Sequence, residues 1–247
     1  MPYDLIGDVH GCREELLALL TKLGYVVDDS MVTPPAGRSV IFLGDLVNRG
    51  PDSPGVLRLV MSMVSAGVAT GLAGNHDIGL AQALAGRPHD KLDAVADTLR
   101  QFENESTEFK WEVVEFLEGL PRQLSLDEGR LIVAHAGLPL EYHGIDSPEA
   151  NDFAVNGRWL LNAERKRVRY DWAADYRGDA TVVYGHASQI EARWVNRTIC
   201  IDTGCVYGGR LTTLRYPERE LVWVAANQVY YKTPRAPQFR AAAQSAT

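Results

Sequence analysis

The class this sequence predicts is an α/β fold, and three observations predict it. Three short apolar runs in the N-terminal third each end in a loop of Gly, Asp, Asn or His, and residues at helical spacing follow. Further apolar runs fill the C-terminal half, and two of them flank Asp127-Glu128-Gly129 as a hairpin. The 247 residues are 46% hydrophobic and 23% charged, an ordinary globular balance that excludes wholesale disorder and collagen-like repeats.

In chain order, Leu5-Ile6-Gly7 reads as a strand. Leu16, Leu17, Leu19, Leu20 and Leu23 then mark a helix, with Gly24 as its stop. Residues 39–43 are a second strand, and Ser53 with Pro54 caps and starts a helix to about Ala66. Residues 68–72 are a third strand, followed by a helix from about Ile78. Residues 92–103 and 108–117 are amphipathic helices, and the second ends at Gly119 and Pro121. The strands of the second half are 123–126, 130–134, 181–184, 198–202, 211–216 and 221–225. Residues 139–180 show no clear period, so they read as a long functional or mobile insert. No linker divides the chain. Residues 1–232 are expected to form one domain, with 139–180 as its variable, substrate-facing insert and 233–247 as a frayed tail.

The charge balance is −7, which argues against coating nucleic acid by long-range attraction but allows polyphosphate to bind through metals or a local basic pocket. Three cysteines, an odd count, argue against a disulfide scaffold and suit a reducing cytoplasm. No run reaches the length of a membrane span, and the first residues lack the pattern of a signal peptide.

The chemistry lies at the ends of the apolar runs, where Asp8, His10, Asp45, Asn75, His76, His135 and His186 stand before small or turn residues. In an α/β sheet such positions converge on one edge. Carboxylate, imidazole and amide donors without a thiolate suit a pair of divalent cations, Mn²⁺ first, with Fe, Zn or Ni possible. Such a pair needs a bridging carboxylate and brings a water to a useful pKa between the ions. Arg49, four residues after Asp45, offers a donor fork for phosphate oxygens.

These blocks carry a resemblance. Gly7-Asp8-Val9-His10-Gly11, the run from Gly44 through Asp45 and Asn48-Arg49 to Gly50, Gly74-Asn75-His76-Asp77, His135-Ala136-Gly137 and Gly185-His186 resemble the calcineurin-like metallophosphoesterases, phosphoprotein-phosphatase-like branch. The stretch from Ile201 to Arg210 looks closest to the phosphatase domain of bacterial polynucleotide kinase-phosphatase and to the symmetrical bis(5′-nucleosyl)-tetraphosphatases. The resemblance implies a central β-sandwich of mixed sheets flanked by helices. It implies a first metal on Asp8 and His10, Asp45 as bridge, and a second metal on Asn75, His135 and His186. His76 would be the general acid beside the leaving oxygen, Arg49 would hold the phosphoryl group, and Asp202 would orient a ligand rather than bind metal. The reaction implied is hydrolysis of a phosphate ester or anhydride by a dimetal-bound hydroxide. The substrate would be a small nucleotide, either a dinucleoside tetraphosphate or a 2′,3′-phosphate at a nucleic-acid end. The alternatives are a serine/threonine-type protein phosphatase and a metal-binding relative without turnover.

Relatives commonly have Asp where this chain has Asn48, so Asn48 is expected to orient His76 through its carbonyl oxygen without adding charge. Asp77, where many relatives have Glu, carries little weight. His89 and His143 read as surface residues, Cys200 and Cys205 as structural, and Cys12 as lying near the metals. The basic run at Arg165, Lys166, Arg167 and Arg169 stands out against the acidic whole. With Arg158, Trp159, Tyr170 and Trp172 it forms a candidate surface for polyphosphate or a nucleobase, against the alternative of a solvated face.

Overall fold

The computed structural model describes residues 2–28, 31–88 and 92–234, with Pro237 and Phe239. The first sheet takes its parallel centre from the three strand–helix units. These are β1 (Tyr3–Ile6) with α1 (Arg13–Lys22), β4 (Ser39–Phe42) with α2 (Ser53–Ser65), and β5 (Ala69–Gly71) with α3 (Asn75–Leu84). Between the first two, β2 (Val26–Asp28) and β3 (Met31–Thr33) pair only with each other. Helices α4 (Leu92–Gln101) and α5 (Thr107–Gly119) follow and pack on α3.

The second sheet begins with β6 (Gln123–Leu126) and β7 (Leu131–Ala134), the antiparallel hairpin read from the sequence. After α6 (Pro148–Asn156), β8 (Trp159–Leu161), β9 (Arg167–Arg169) and α7 (Trp172–Asp175), the sheet resumes. Its remaining strands are β10 (Thr181–Tyr184), β11 (Trp194–Val195) and β12 (Thr198–Cys200), in the order β11-β12-β10-β7-β6. The chain then returns to the first sheet through β13 (Asp202–Thr203), β14 (Arg210–Tyr216) and β15 (Glu220–Ala225), with β14 antiparallel to β1.

The two sheets stack face to face, and residue alternation shows it. Leu5, Ile41, Leu131, Val133, Val183 and Ile199 share one buried cluster between the sheets. Their strand neighbours Ile6, Val40 and Phe42 join the helical side of the first sheet. Ile132, Ala134, Val182 and Cys200 join an outer layer with Phe153 and Trp172. A strand covered on both faces is apolar throughout, as these runs are. The expected sandwich flanked by helices is therefore the fold observed.

Four local expectations are corrected. Asp52, not Ser53, caps α2: its carboxylate accepts from the Gly55 amide at 2.8 Å, while the Ser53 hydroxyl accepts from the Asn48 amide at 3.1 Å. The third helix starts at Asn75 rather than Ile78, so Asn75, His76 and Asp77 form its first turn. Residues 198–202 are two strands, because the chain crosses from one sheet to the other at Ile201. The stretch 139–180 is ordered into α6, the β8–β9 hairpin and α7. His143 is half-buried against Leu138 and Tyr176, whereas His89 and most of the tail lie outside the described residues.

Candidate active site

Five parallel strands of the two sheets end at this site. β1 delivers Asp8 and His10, β4 delivers Asp45 and β5 runs into Asn75. From the second sheet, β7 delivers His135 and β10 delivers His186. The loops after β1 and β4 are tied together, since the His10 amide donates to the Asp45 carbonyl and the Gly11 amide to the Leu46 carbonyl, both at 2.8 Å. His10, Asp45, Asn48, Arg49 and His186 all take positive φ, from 47° to 73°. Non-glycine residues rarely sit there, and such strain persists where the surroundings over-determine the backbone.

Asp45 is the centre. Its Oδ2 lies 3.6 Å from His10 Nε2, and its Oδ1 lies 3.4 Å from His135 Nε2. Each carboxylate oxygen thus faces an imidazole from a different sheet. Both rings are turned the same way: His10 Nδ1 donates to the Val47 carbonyl and His135 Nδ1 to the Leu43 carbonyl, each at 2.9 Å. That leaves both Nε2 atoms aimed at the centre, as a ligand imidazole requires. His186 Nδ1 is 3.1 Å from His135 Nε2. Asp45 therefore belongs to two groups of close donors, one with Asp8 and His10 and one with His135 and His186.

Two further oxygens complete the set. Asp8 Oδ2 accepts from the His186 amide at 3.0 Å, but buried Asp8 Oδ1 has no partner, and neither has Asn75 Oδ1. Unpaired buried oxygens are costly unless something electropositive meets them. Glycines leave the space. A Cβ on Gly185 would stand 2.0 Å from Asp8 Oδ1, and one on Gly74 would stand 2.2 Å from Asp45 Oδ1.

The electrostatics agree. Burial, reinforced by Asp202 and Asp45, raises the Asp8 carboxyl well above its ordinary value. Burial acts on Asp45 the same way, but His135, His76 and His10 overcome it and hold that carboxyl well below its ordinary value. Burial works against a His135 cation, yet Asp45 beside it carries the imidazole up to about 9. Burial, with Arg49 for His10 and with His135 and Arg169 for His186, keeps those two imidazoles well below theirs. A cavity that crowds carboxylates together with imidazoles, His10 and His186 among them held neutral, fits divalent cations.

The remaining predicted residues surround this centre. Arg49 Nη1 donates to His10 Nε2 at 3.0 Å, and its guanidinium lies 5.6 Å and 5.8 Å from the rings of Tyr207 and Tyr231. Asp202 Oδ2 accepts from the Ser188 hydroxyl at 2.7 Å and its Oδ1 from the Gly204 amide at 3.0 Å. Asp202 thereby pins the loop that carries His186. Asp77 does more than expected: its two oxygens accept from the Leu46 and Gly74 amides, each at 2.9 Å, joining the two loops that carry Asp45 and Asn75. Cys12 is buried beneath the loop, grouped with Cys205 and Glu15 rather than with the site imidazoles.

Asn48 corrects an expectation. Its amide nitrogen, not its carbonyl oxygen, meets His76, at 3.0 Å from Nδ1 and 3.4 Å from the His76 carbonyl oxygen. A carbonyl needs a donor, which fixes the amide that way round. Nδ1 then accepts, and the proton of the neutral ring sits on Nε2. His76 lines a cavity of about 520 Å³ shared with Asp45, Arg49, Asn75 and His186.

The basic run divides. Arg158, Arg167 and Arg169 line an adjoining cavity of about 990 Å³, which also reaches His186. Arg165 and Lys166 stand exposed in the β8–β9 turn and line neither cavity. Trp172 is buried in the outer layer, and Tyr170 donates to Asp175. Sequence reasoning gave no role to Ser188, Tyr207 or Tyr231; Tyr207 lies in the stretch from Ile201 to Arg210, whereas Ser188 and Tyr231 belong to no motif and reach the site only through the fold.

Two sheets that bring acids and imidazoles around one shared carboxylate define a site of the dinuclear metallohydrolase kind. The chain belongs to the calcineurin-like phosphoesterase family, whose profile matches residues 1–209, and it is a hydrolase of that family. A protein of Anoxybacillus flavithermus named bis(5′-nucleosyl)-tetraphosphatase PrpE [asymmetrical] is 40% identical over 236 residues, 93% of this chain and 96% of its own. The Bacillus subtilis protein of the same name is 39% identical, over 93% of this chain and 97% of its own. These names specify asymmetrical cleavage, whereas the motif resemblance pointed to symmetrical enzymes. A crystal structure described as a provisional diadenosine tetraphosphatase superposes with a TM-score of 0.66 at 26% identity, covering 91% of this chain and 93% of that one. A Saccharomyces cerevisiae serine/threonine phosphatase gives 0.63 at 15% identity, over 95% and 81% of the two chains, which is likeness of fold alone. Among the described residues no helix is long and apolar enough to cross a membrane.

Proposed function

We propose that this chain hydrolyses dinucleoside tetraphosphates asymmetrically, with two divalent metal ions held by Asp8, His10, Asp45, Asn75, His135 and His186. The observation that carries the reading is Asp45, whose two oxygens face His10 and His135 from opposite sheets. The full-length relatives named for this activity support the substrate. The donor set contains nitrogen and oxygen but no thiolate, which favours Mn²⁺ over Fe, Zn or Ni. Two such ions supply positive charge against phosphoryl oxygens and a low pKa for water.

The chain's own residues do the rest. Arg49, steadied by Tyr207 and Tyr231, presents its fork to the phosphoryl oxygens. His76 offers Nε2–H to the leaving oxygen, and Asn48 fixes that orientation. Asp202 and Ser188 hold the His186 loop in register. Residues 1–232 act as one catalytic domain, and 139–180 form the wall against which the substrate's far end lies. Nucleic-acid ends are the lesser substrate for a chain of charge −7. Three free, buried cysteines suit the cytoplasm.

The test is product analysis with Mn²⁺ and diadenosine tetraphosphate. Asymmetrical cleavage yields ATP and AMP, and symmetrical cleavage yields two ADP. Turnover of p-nitrophenyl phosphate without either product set would sink the nucleotide reading, and equal ADP alone would sink the asymmetry.

A second expected result concerns the basic run. Replacing Arg158 and Arg167 with Ala should raise KM for diadenosine tetraphosphate by about tenfold, the loss of charge-assisted contacts worth ~1.5 kcal/mol. The same change at Arg165 and Lys166 should act less and fade with salt, since those groups line neither cavity and act only at long range. Identical effects from both pairs would assign the run to long-range attraction instead.

A further inference from the structure

The β8–β9 hairpin carries a second feature that the phosphate chemistry does not use. Trp159 opens β8, directly opposite Arg169 on β9, with Arg167 diagonally across on the same face. The two guanidinium groups lie 5.4 Å (Arg167) and 5.2 Å (Arg169) from the indole centre, yet Trp159 as a residue remains 46% exposed. It lines both cavities, the one around Asp45 and His76 and the larger one beside it, and Arg169 and His186 line both with it. By contrast Trp172 is buried, and Trp111, Trp194 and Trp223 line neither of these cavities.

Charge makes the junction directional. Among the described residues neither Arg167 nor Arg169 is within ion-pair distance of a carboxylate, unlike Arg13, Arg38, Arg58, Arg87, Arg100, Arg130, Arg193 and Arg215. The larger cavity is also lined by Glu149 and Asp152, which come from α6 rather than from the hairpin. These carboxylates disfavour a polyanion on α6 and leave it the hairpin, where a planar apolar surface lies beside guanidinium groups that no carboxylate among the described residues neutralises.

Resting on the dinucleotide reading above, we propose that Trp159 is the stacking platform for one nucleobase of the substrate, with Arg169 holding the phosphates that run from that base toward Asp45. A base has a π-face whatever its sequence, so the platform selects nucleotides over simple phosphate esters without choosing among bases. The arm laid across the hairpin is the longer one, because the larger cavity lies on that side.

The experiment compares wild type, Trp159→Ala, Trp159→Phe and Arg169→Gln on diadenosine tetraphosphate and p-nitrophenyl phosphate with Mn²⁺. Trp159→Ala should lose about tenfold or more of its preference for the dinucleotide, mainly through KM, as removal of one stacking ring does. Trp159→Phe should restore most of it, and Arg169→Gln should lower the same preference. An unchanged preference in Trp159→Ala, or equal losses on both substrates, would show that the Arg–Trp packing is structural and overturn the platform. Loss of the preference without rescue by Phe would also overturn it. A wild type that cleaves p-nitrophenyl phosphate but not the dinucleotide would instead fail the functional reading, and this inference with it.

Discussion

Asp45→Asn should abolish turnover and release metal. The carboxylate is the one group shared by both donor sets, and its two oxygens are not interchangeable with an amide's oxygen and NH₂. The amide would turn a donor toward either His10 Nε2 or His135 Nε2 and would carry no charge against two cations. Lewis-acid stabilisation is worth several kcal/mol, so kcat should fall about 10³-fold or more. Elemental analysis should show at least one metal equivalent lost per chain. The fold should survive, because the backbone ties of this loop run through the Asp45 carbonyl, through Leu46 and to Asp77. Two tightly held metals with normal turnover in the variant would remove Asp45 from the bridge.

The candidate cluster of acids and imidazoles was legible because the chemistry falls where local rules are strong. A short apolar run ending in Gly-Asp, Gly-Asn, Ala-His or Gly-His reads as a buried strand and its carboxyl end, and five such ends were enough to predict convergence. Other features depended on distant partners. The start of α3 was misplaced because Gly74 caps it without a side chain, and Asn75-His76-Asp77 is weak helix former except in a first turn. The break at Ile201 is invisible in an apolar run, since both sheets accept the residue. The β8–β9 hairpin shows no alternation because Trp159, Leu160 and Leu161 are all exposed and it pairs only with itself. The direction of the Asn48 amide was unreadable for a similar reason: the carbonyl that sets it belongs to His76, far away in sequence.

That amide makes His76 the most informative substitution after Asp45. On the proposed reading, with Asn48 donating to Nδ1, His76 would meet the leaving oxygen as a neutral N–H donor rather than as an imidazolium. Such a donor stabilises developing charge but releases its proton less readily than a cation does. His76→Ala should therefore lower kcat on an alkyl phosphate by about 10²-fold, at the low end for general acids. The loss on p-nitrophenyl phosphate should be much smaller, because nitrophenolate leaves without help, and a nucleotide leaving group should fall between. Asn48→Asp supplies the missing counter-charge. Its carboxylate can accept from Nδ1–H, so the ring can be protonated at both nitrogens, and the cationic form should persist to higher pH. In that variant the basic limb of the pH–rate profile should move upward, and alkyl phosphate turnover should rise. Wild type and Asn48→Asp compared on the same alkyl phosphate, each with and without His76→Ala, give a double-mutant cycle for the pair. The gain from Asn48→Asp should vanish when His76 is Ala. A gain that survives without His76, or a His76→Ala loss that is equal for alkyl and nitrophenyl phosphates, would take His76 away from the leaving oxygen.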